Sequence, residues 1–266
     1  MINEHLKIAI KAALEAGEVI MKIYDTPFDV ELKEDKSPLT EADKQANHII
    51  TAHLKTTGIP IISEESKQID YSIRKNWNLC WVVDPVDGTK EFVKRNGEFT
   101  VNIALVSNQK PVLGVIYVPV TKVLYVADVN NKKAFKSELK SHQAAIDNVL
   151  AMAQPLKPQS ISDKLVRVVG SRSHMSQETL DFTKTLKDGG SEVEIVSKGS
   201  SLKFCLVAEG KADVYPRFAP TMEWDTAAGQ AICNAVGVEV ISKETDKPLV
   251  YNKENLLNPW FLVSKQ

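Results

Sequence analysis

Apolar residues recur at helical spacing over the first two dozen positions. Leu6, Ile10, Ala13, Leu14, Gly17, Ile20, Met21 and Tyr24 fall on one stripe, which predicts an amphipathic helix over 4–24. A polar, charged stretch over 29–38 follows. A second helix is expected over 40–54, because Thr40-Glu41-Ala42-Asp43 reads as a capping box. The pattern then changes to that of strands. Gly58-Ile59-Pro60-Ile61-Ile62 is a turn entering a strand, and Trp81-Val82-Val83 is a strand expected to stop at Asp84-Pro85. Residues 99–128 read as a β-meander with strands over 99–106, 112–118 and 123–127. The stretch 151–163 holds Pro155 and Pro158 and little periodicity, so two domains are expected, 1–155 and 156–266. Beyond it, strands over 165–169, 192–196 and 213–215 alternate with helices over 177–187, 201–209 and 224–235. The first half is therefore read as α+β and the second as α/β.

Composition narrows this only a little. The 266 residues are 43% hydrophobic and 25% charged, with a net charge of −1, as in an ordinary globular protein. There is no basic footprint for gripping a nucleic-acid polymer, although a small phosphorylated ligand needs only a few local cations. Cys80, Cys205 and Cys233 are widely spaced and form no CxxC pair, which argues for buried thiols rather than a zinc site or a disulfide framework. The longest apolar stretch, 112–120, is too short to span a bilayer, so no integral membrane segment is expected. Met1-Ile2-Asn3-Glu4-His5 opens no signal-peptide pattern. A cytoplasmic location is expected, with peripheral association on the cytoplasmic side of the inner membrane left open. Monomer and homodimer are left open as well.

The candidate chemistry lies in three acidic segments. In Trp81-Val82-Val83-Asp84-Pro85-Val86-Asp87-Gly88-Thr89 an apolar strand ends in two aspartates. Pro85 fixes φ, Gly88 permits a positive φ, and such a turn can aim both carboxylates and the Val86 carbonyl at one point. Hard oxygen ligands of this kind suit magnesium. Taken alone, the stretch is equally well a solvated loop. Ser63-Glu64-Glu65-Ser66 follows another apolar strand and alone reads as surface acid. Asp225, in Met222-Glu223-Trp224-Asp225-Thr226-Ala227-Ala228-Gly229, reads either as a helix N-cap or as a ligand at a helix head.

Together, in this order and spacing, the Glu64-Glu65 pair, the Asp84–Thr89 motif and the Trp224–Ala228 motif resemble the lithium-sensitive, magnesium-dependent phosphatase superfamily. This superfamily includes inositol monophosphatases, fructose-1,6-bisphosphatases and 3′(2′),5′-bisphosphate nucleotidases. The resemblance covers essentially the whole chain and implies a layered αβαβα sandwich with the active site in the cleft between the halves. It implies two to three Mg²⁺ ions: the first on Glu64, Asp84 and the Val86 carbonyl, the second on Asp84, Asp87 and Asp225, and a looser third near Glu64 and Glu65. Thr89 is then expected to orient the attacking water, with Asp43 accepting its proton and Glu65 assisting as base. Asp43 keeps a second reading as a residue that simply completes the Thr40 cap. Val86 stands where the family more often has Ile or Leu, which matters little because only its carbonyl would touch metal.

Lys90-Glu91-Phe92 is similar to the bisphosphate nucleotidase branch, as are Gly170-Ser171-Arg172-Ser173-His174, Gly199-Ser200-Ser201-Leu202-Lys203-Phe204 and Asp213-Val214-Tyr215-Pro216-Arg217-Phe218. The implied substrate contacts are Glu64, Asp87, Gly88, Thr89, Lys90, Ser171, His174, Gly199, Lys203, Arg217 and Asp225. Exposed N–H groups opening the Gly199 segment are expected to favour an anion. Read as surface residues, Lys203, Arg217 and His174 would carry no such role. The implied reaction is hydrolysis of adenosine 3′,5′-bisphosphate (PAP) to AMP and phosphate, with 3′-phosphoadenosine 5′-phosphosulfate (PAPS) as a second substrate, in sulfur assimilation. The alternative is an inositol monophosphatase or another sugar phosphatase of the same superfamily.

Overall fold

The computed structural model describes residues 3–28, 30–32, 38–159, 164–170 and 175–265. The first apolar stripe forms α1 (Glu4–Tyr24), whose N-cap Asn3 accepts the His5 N–H. A short antiparallel pair, β1 (Val30–Leu32) and β2 (Pro38–Thr40), leads into α2 (Glu41–Lys55), with Thr40 as its N-cap. α1 and α2 pack against each other and lie on one face of a seven-stranded sheet. Its strands in spatial order are β3 (Ile61–Ser63), β4 (Leu79–Asp87), β5 (Thr100–Ser107), β6 (Lys110–Val118), β7 (Val123–Asp128), β8 (Lys133–Glu138) and β9 (Gln154–Pro155). β3 and β4 are parallel and every later pair is antiparallel. Three short helices join them: α3 (Tyr71–Arg74) before β4, α4 (Thr89–Val93) after it, and α5 (Ile146–Ala151) before β9.

Two expectations change here. The strand read as ending at Asp84-Pro85 runs on to Asp87, because the proline falls in a register break where it owes no ladder hydrogen bond. The meander also gains β8, whose mixed exposure hid it from a pattern search, and β9, two exposed residues too short to show a pattern.

The second half opens as the alternation predicts: β10 (Leu165–Gly170), α6 (Gln177–Asp188), β11 (Glu192–Ser197), α7 (Leu202–Ala208), β12 (Val214–Arg217) and α8 (Glu223–Ala235). It closes with two antiparallel strands that the alternation does not foresee, β13 (Glu239–Ser242) and β14 (Phe261–Ser264). The sheet order is β11-β10-β12-β14-β13. α6 packs on β10 and β11, whereas α7 packs on β12 and β14. α8 lies between the sheets, against β4 to β7 on one side and β13 on the other. The layers are thus helices, sheet, helices, sheet, helix, the αβαβα sandwich.

α8 comes close because β6 carries Gly114, where an added Cβ would lie 2.7 Å from the Ala228 carbonyl oxygen. The core around it draws Val82, Ala104 and Ile116 from the first half and Phe204, Ile232 and Phe261 from the second, so the segments 1–155 and 156–266 share apolar packing. Cys80, Cys205 and Cys233 are buried free thiols. No helix among the described residues is long and apolar enough to cross a membrane.

Candidate active site

The two aspartates of β4 owe their geometry to a β-bulge. Asp84 pairs with Asn102 and Asp87 with Thr100, so two residues of β4, Pro85 and Val86, stand against the single Val101 of β5. Residues three apart on a regular strand face opposite sides, whereas the extra residue brings Asp84 and Asp87 to the same side and leaves Val86 outside the ladder. The Val86 carbonyl turns toward Thr89, whose Oγ1 lies 3.3 Å away. Gly88 follows at φ +92°, and an added Cβ would meet Ser200 Oγ at 2.2 Å, so glycine is required twice over.

Parallel pairing of β3 and β4 sets Ser63 beside Val83, and the Glu64 N–H donates to the Val83 carbonyl at 3.2 Å. Glu64 is thereby placed next to Asp84. From the other half, the start of α8 brings Asp225. Oxygens of Glu64, Asp84 and Asp225 lie within 4.8 Å of one another. Glu65 is outside this trio, and its carbonyl accepts from Asn47 Nδ2 at 3.4 Å. Asp87 is also outside the trio. Its Oδ2 accepts the Ser201 N–H at 2.6 Å and lies 2.7 Å from the Ser201 hydroxyl, with Asn102 Nδ2 at 3.3 Å. Neither Ser201 nor Asn102 was singled out from the sequence, because they meet Asp87 only through the fold.

Two carboxylates share an unusual placement. The helix that Asp225 was expected to N-cap starts at Glu223, so Asp225 is its third residue, and its Oδ2 accepts the Met222 N–H at 2.9 Å. Asp43 occupies the same position in α2. Its Oδ2 accepts from Thr40 N at 2.7 Å and Thr40 Oγ1 at 2.6 Å, while Thr89 Oγ1 donates to its Oδ1 at 3.4 Å. The cap and the approach to Thr89, set apart as alternatives on the sequence, belong to two oxygens of one side chain.

The charges crowd. Burial, followed by the charges of Glu64 and Asp87, pushes the Asp84 carboxyl well above its ordinary range. Asp225 is pushed up to about 7, first by desolvation and then by Asp87. A buried acid cluster that resists its own ionisation fits a hard divalent cation, which supplies the missing counter-charge with oxygen ligands alone.

A cavity of about 480 Å³ opens beside the cluster, lined among others by Asp87, Lys90, Lys203, Arg217, Thr221 and Asp225. Burial lowers the Lys203 ammonium below its ordinary value. Its Nζ donates to the Ser200 carbonyl at 3.0 Å and lies 5.8 Å from the centre of the Tyr215 ring. Lys94, one helical turn past Lys90, joins the lining, and that spacing could have revealed it. Ser171 and His174 lie outside the described residues. The expectation for Gly199 needs correcting. Its N–H donates to Glu98 Oε2 at 2.8 Å and the Ser201 N–H goes to Asp87, so protein carboxylates already occupy these donors.

A buried clasp holds the two halves of the cluster together. Glu223, fully buried, accepts the Asn252 N–H at 2.6 Å and Lys253 Nζ at 2.6 Å. Arg74, between β3 and β4, donates to Asn252 Oδ1 at 2.9 Å and to the Lys253 carbonyl at 2.9 Å. The segment following Glu64 is thereby tied to the start of the helix that carries Asp225.

Residues 1–260 match the model of the inositol monophosphatase family. The 3′(2′),5′-bisphosphate nucleotidase CysQ of Shigella flexneri is 46% identical over 257 residues, covering 95% of this chain and 96% of that one. The CysQ crystal structure from Bacteroides thetaiotaomicron superposes with a TM-score of 0.86 at 51% identity, over 97% of this chain and 96% of the other. The Thermotoga maritima IMPase shares the fold at a TM-score of 0.73 and 20% identity, over 98% and 92% of the two chains.

Proposed function

The chain belongs to the inositol monophosphatase family, and from that premise we propose that it is a 3′(2′),5′-bisphosphate nucleotidase, hydrolysing PAP to AMP and phosphate. PAPS is the second substrate we propose, and sulfur assimilation the setting. The carrying observation is one cavity lined by Asp87 and by Asp225, a member of the Glu64–Asp84–Asp225 cluster, on one side and by Lys90, Lys203 and Arg217 on the other. One end suits a phosphate beside a bound cation and the other the rest of an anionic nucleotide.

In this reading Glu64, Asp84, the Val86 carbonyl, Asp87 and Asp225 would hold two to three Mg²⁺ ions, with Glu65 at the edge of the set. Bound there, magnesium would acidify water and neutralise charge on the transferring phosphoryl group. The protein's own residues do the rest. Thr89 Oγ1, anchored on Asp43 Oδ1, accepts a hydrogen bond from the attacking water and fixes its direction. The water oxygen bonds to phosphorus as the bond to the 3′-oxygen breaks. The departing 3′-oxygen takes the electron pair and a proton from a second water near Asp225, while the proton lost by the attacking water passes through Thr89 to Asp43 and on to solvent, which restores the proton the second water gave up. Lys90, Lys203 and Arg217 hold the remaining negative charge of the substrate. Three buried free thiols support a reducing, cytoplasmic setting.

The test is phosphate release from PAP with and without Mg²⁺, with inositol 1-phosphate as comparator and lithium as inhibitor. The reading requires magnesium-dependent release from PAP, inhibited by millimolar-scale lithium. Faster turnover of inositol 1-phosphate than of PAP would overturn it.

A further inference from the structure

One hydroxyl sits where the two halves of the chain meet over the acidic cluster. Ser201 is the N-cap of α7 in the second half and is 2% exposed. Its Oγ has three partners at hydrogen-bond distance. Asn102 Nδ2, on β5 of the first half, donates to it at 2.8 Å. Asp87 Oδ2, at the end of β4, lies 2.7 Å away, and so does the carbonyl oxygen of Asp225 on α8. A serine hydroxyl has one proton, so it serves one of these two acceptors at a time. The Asp87 carboxylate is the stronger of the two, because it carries charge.

The surroundings of this hydroxyl are themselves fixed. Asn102 is 1% exposed, and its Oδ1 accepts from Thr100 Oγ1 at 3.0 Å, which turns its Nδ2 toward Ser201. The Ser201 N–H donates to the same Asp87 Oδ2 at 2.6 Å. Ser200, just before it, has φ +48°, a left-handed backbone that a non-glycine residue keeps only where its surroundings demand it. That kink brings Ser200 Oγ to 2.8 Å from the Asp87 carbonyl oxygen, so both serines address Asp87. The distribution of contacts on Asp87 is one-sided. Among the described residues, Thr100, Asn102 and both donors of Ser201 all reach Oδ2, and none reaches Oδ1. A carboxylate gripped by one oxygen is oriented at the other.

We infer that the Ser201 hydroxyl is a positioning group for the metal site, holding Asp87 by Oδ2 so that Oδ1 is left to the cation, and tying that carboxylate to the helix start that carries Asp225. The inference rests on the magnesium part of the nucleotidase reading above. It makes the site a joint product of both halves in a second sense. The second half supplies Asp225 as a ligand, and through Ser201 it also aims a ligand that belongs to the first.

The experiment is calorimetry of magnesium and calcium binding to the substrate-free protein. Magnesium demands near-octahedral ligands whereas calcium tolerates varied geometry, so a misaimed carboxylate costs magnesium more. Ser201→Ala should weaken magnesium about tenfold, the scale for a group that orients a metal ligand, and calcium much less. Ser201→Gly also keeps the N–H, suits a helix start and should show the same loss. In an Asp87→Ala background there is no carboxylate to aim, so adding Ser201→Ala should cost nothing further. Unchanged magnesium affinity in both Ser201 variants overturns the inference. So does an equal loss for the two ions, or a second loss on top of Asp87→Ala, because a role in folding alone would spread to both ions and both backgrounds. Turnover is not the readout, so the two readings fail separately. A wild-type protein that binds magnesium but leaves PAP intact refutes the nucleotidase reading, and the calorimetry still decides the role of Ser201.

Discussion

The acidic wall of the cleft is bonded into the protein, whereas the basic wall faces the cavity with polar atoms left over. Asp87 is held by Ser201 and Asn102, Asp225 by the Met222 N–H, and Asp43 by Thr40. These carboxylates have fixed orientations and an excess of charge. On the other wall, Arg217 Nε and Thr221 Oγ1 have no hydrogen-bond partner among the described residues. The difference matches the two kinds of visitor proposed here. A small cation tolerates little error in ligand geometry, so its ligands are fixed by folding. A nucleotide brings its own acceptors, so donors can wait for them.

The comparison can be broken most severely at Asp87. Asp87→Asn keeps an oxygen for Ser201 but removes the charge, and should lower magnesium-supported phosphate release about 1,000-fold or more with the circular dichroism unchanged. Near-normal turnover would mean that the acidic wall does not serve a metal. Thr89→Val is isosteric and removes the hydroxyl that approaches Asp43, so kcat should fall about 100-fold while magnesium binding by calorimetry stays intact. Arg74→Met tests the clasp rather than the chemistry. It strands the Asn252 and Lys253 oxygens, and denaturant titration should show a stability loss of about 2 kcal/mol.

The smallest effect is a pH slope in the metal-free protein. Asp225 rises from an ordinary 3.8 to about 7 on folding. Between these values the native state keeps a proton that the unfolded chain releases, so its contribution to stability falls as pH rises from about 4 to about 7 and is level above. Asp225→Asn cannot ionise, so its Tm should gain on wild type by a few degrees over that window. Magnesium should close the gap at pH 8. Parallel Tm curves for the two metal-free proteins would count against a crowded acidic wall.

The acidic wall was largely legible in the sequence, and of the basic wall the family pattern named Lys90, Lys203 and Arg217 but not Lys94 or Thr221. Asp84, Asp87, Gly88 and Thr89 are neighbours, and the local chemistry of Pro85 and Gly88 announces a rigid turn. The bulge itself was hidden, because Pro85 reads as the end of a strand unless the Asn102 and Thr100 partners on β5 are known. Glu64 and Asp225 were recoverable only as members of a family pattern, since nothing near them in sequence says that they meet. Thr221 gives no signal at all. A threonine after a proline is ordinary, and only the cavity makes its hydroxyl conspicuous. β13 and β14 were missed because their partners lie far along the chain: they pair antiparallel with each other across residues 243–260, and β14 also pairs with β12.

Asp43 serves the start of a helix and the approach to Thr89 with the same carboxylate, and that start rests on modest support. Among the described residues β2 pairs with the three residues of β1 alone, and two-stranded pairs have little stability of their own. Warming should therefore fray the entry to α2 before the sandwich melts. Turnover would then fade several degrees below the global transition, making the reaction itself a thermometer for one turn of helix.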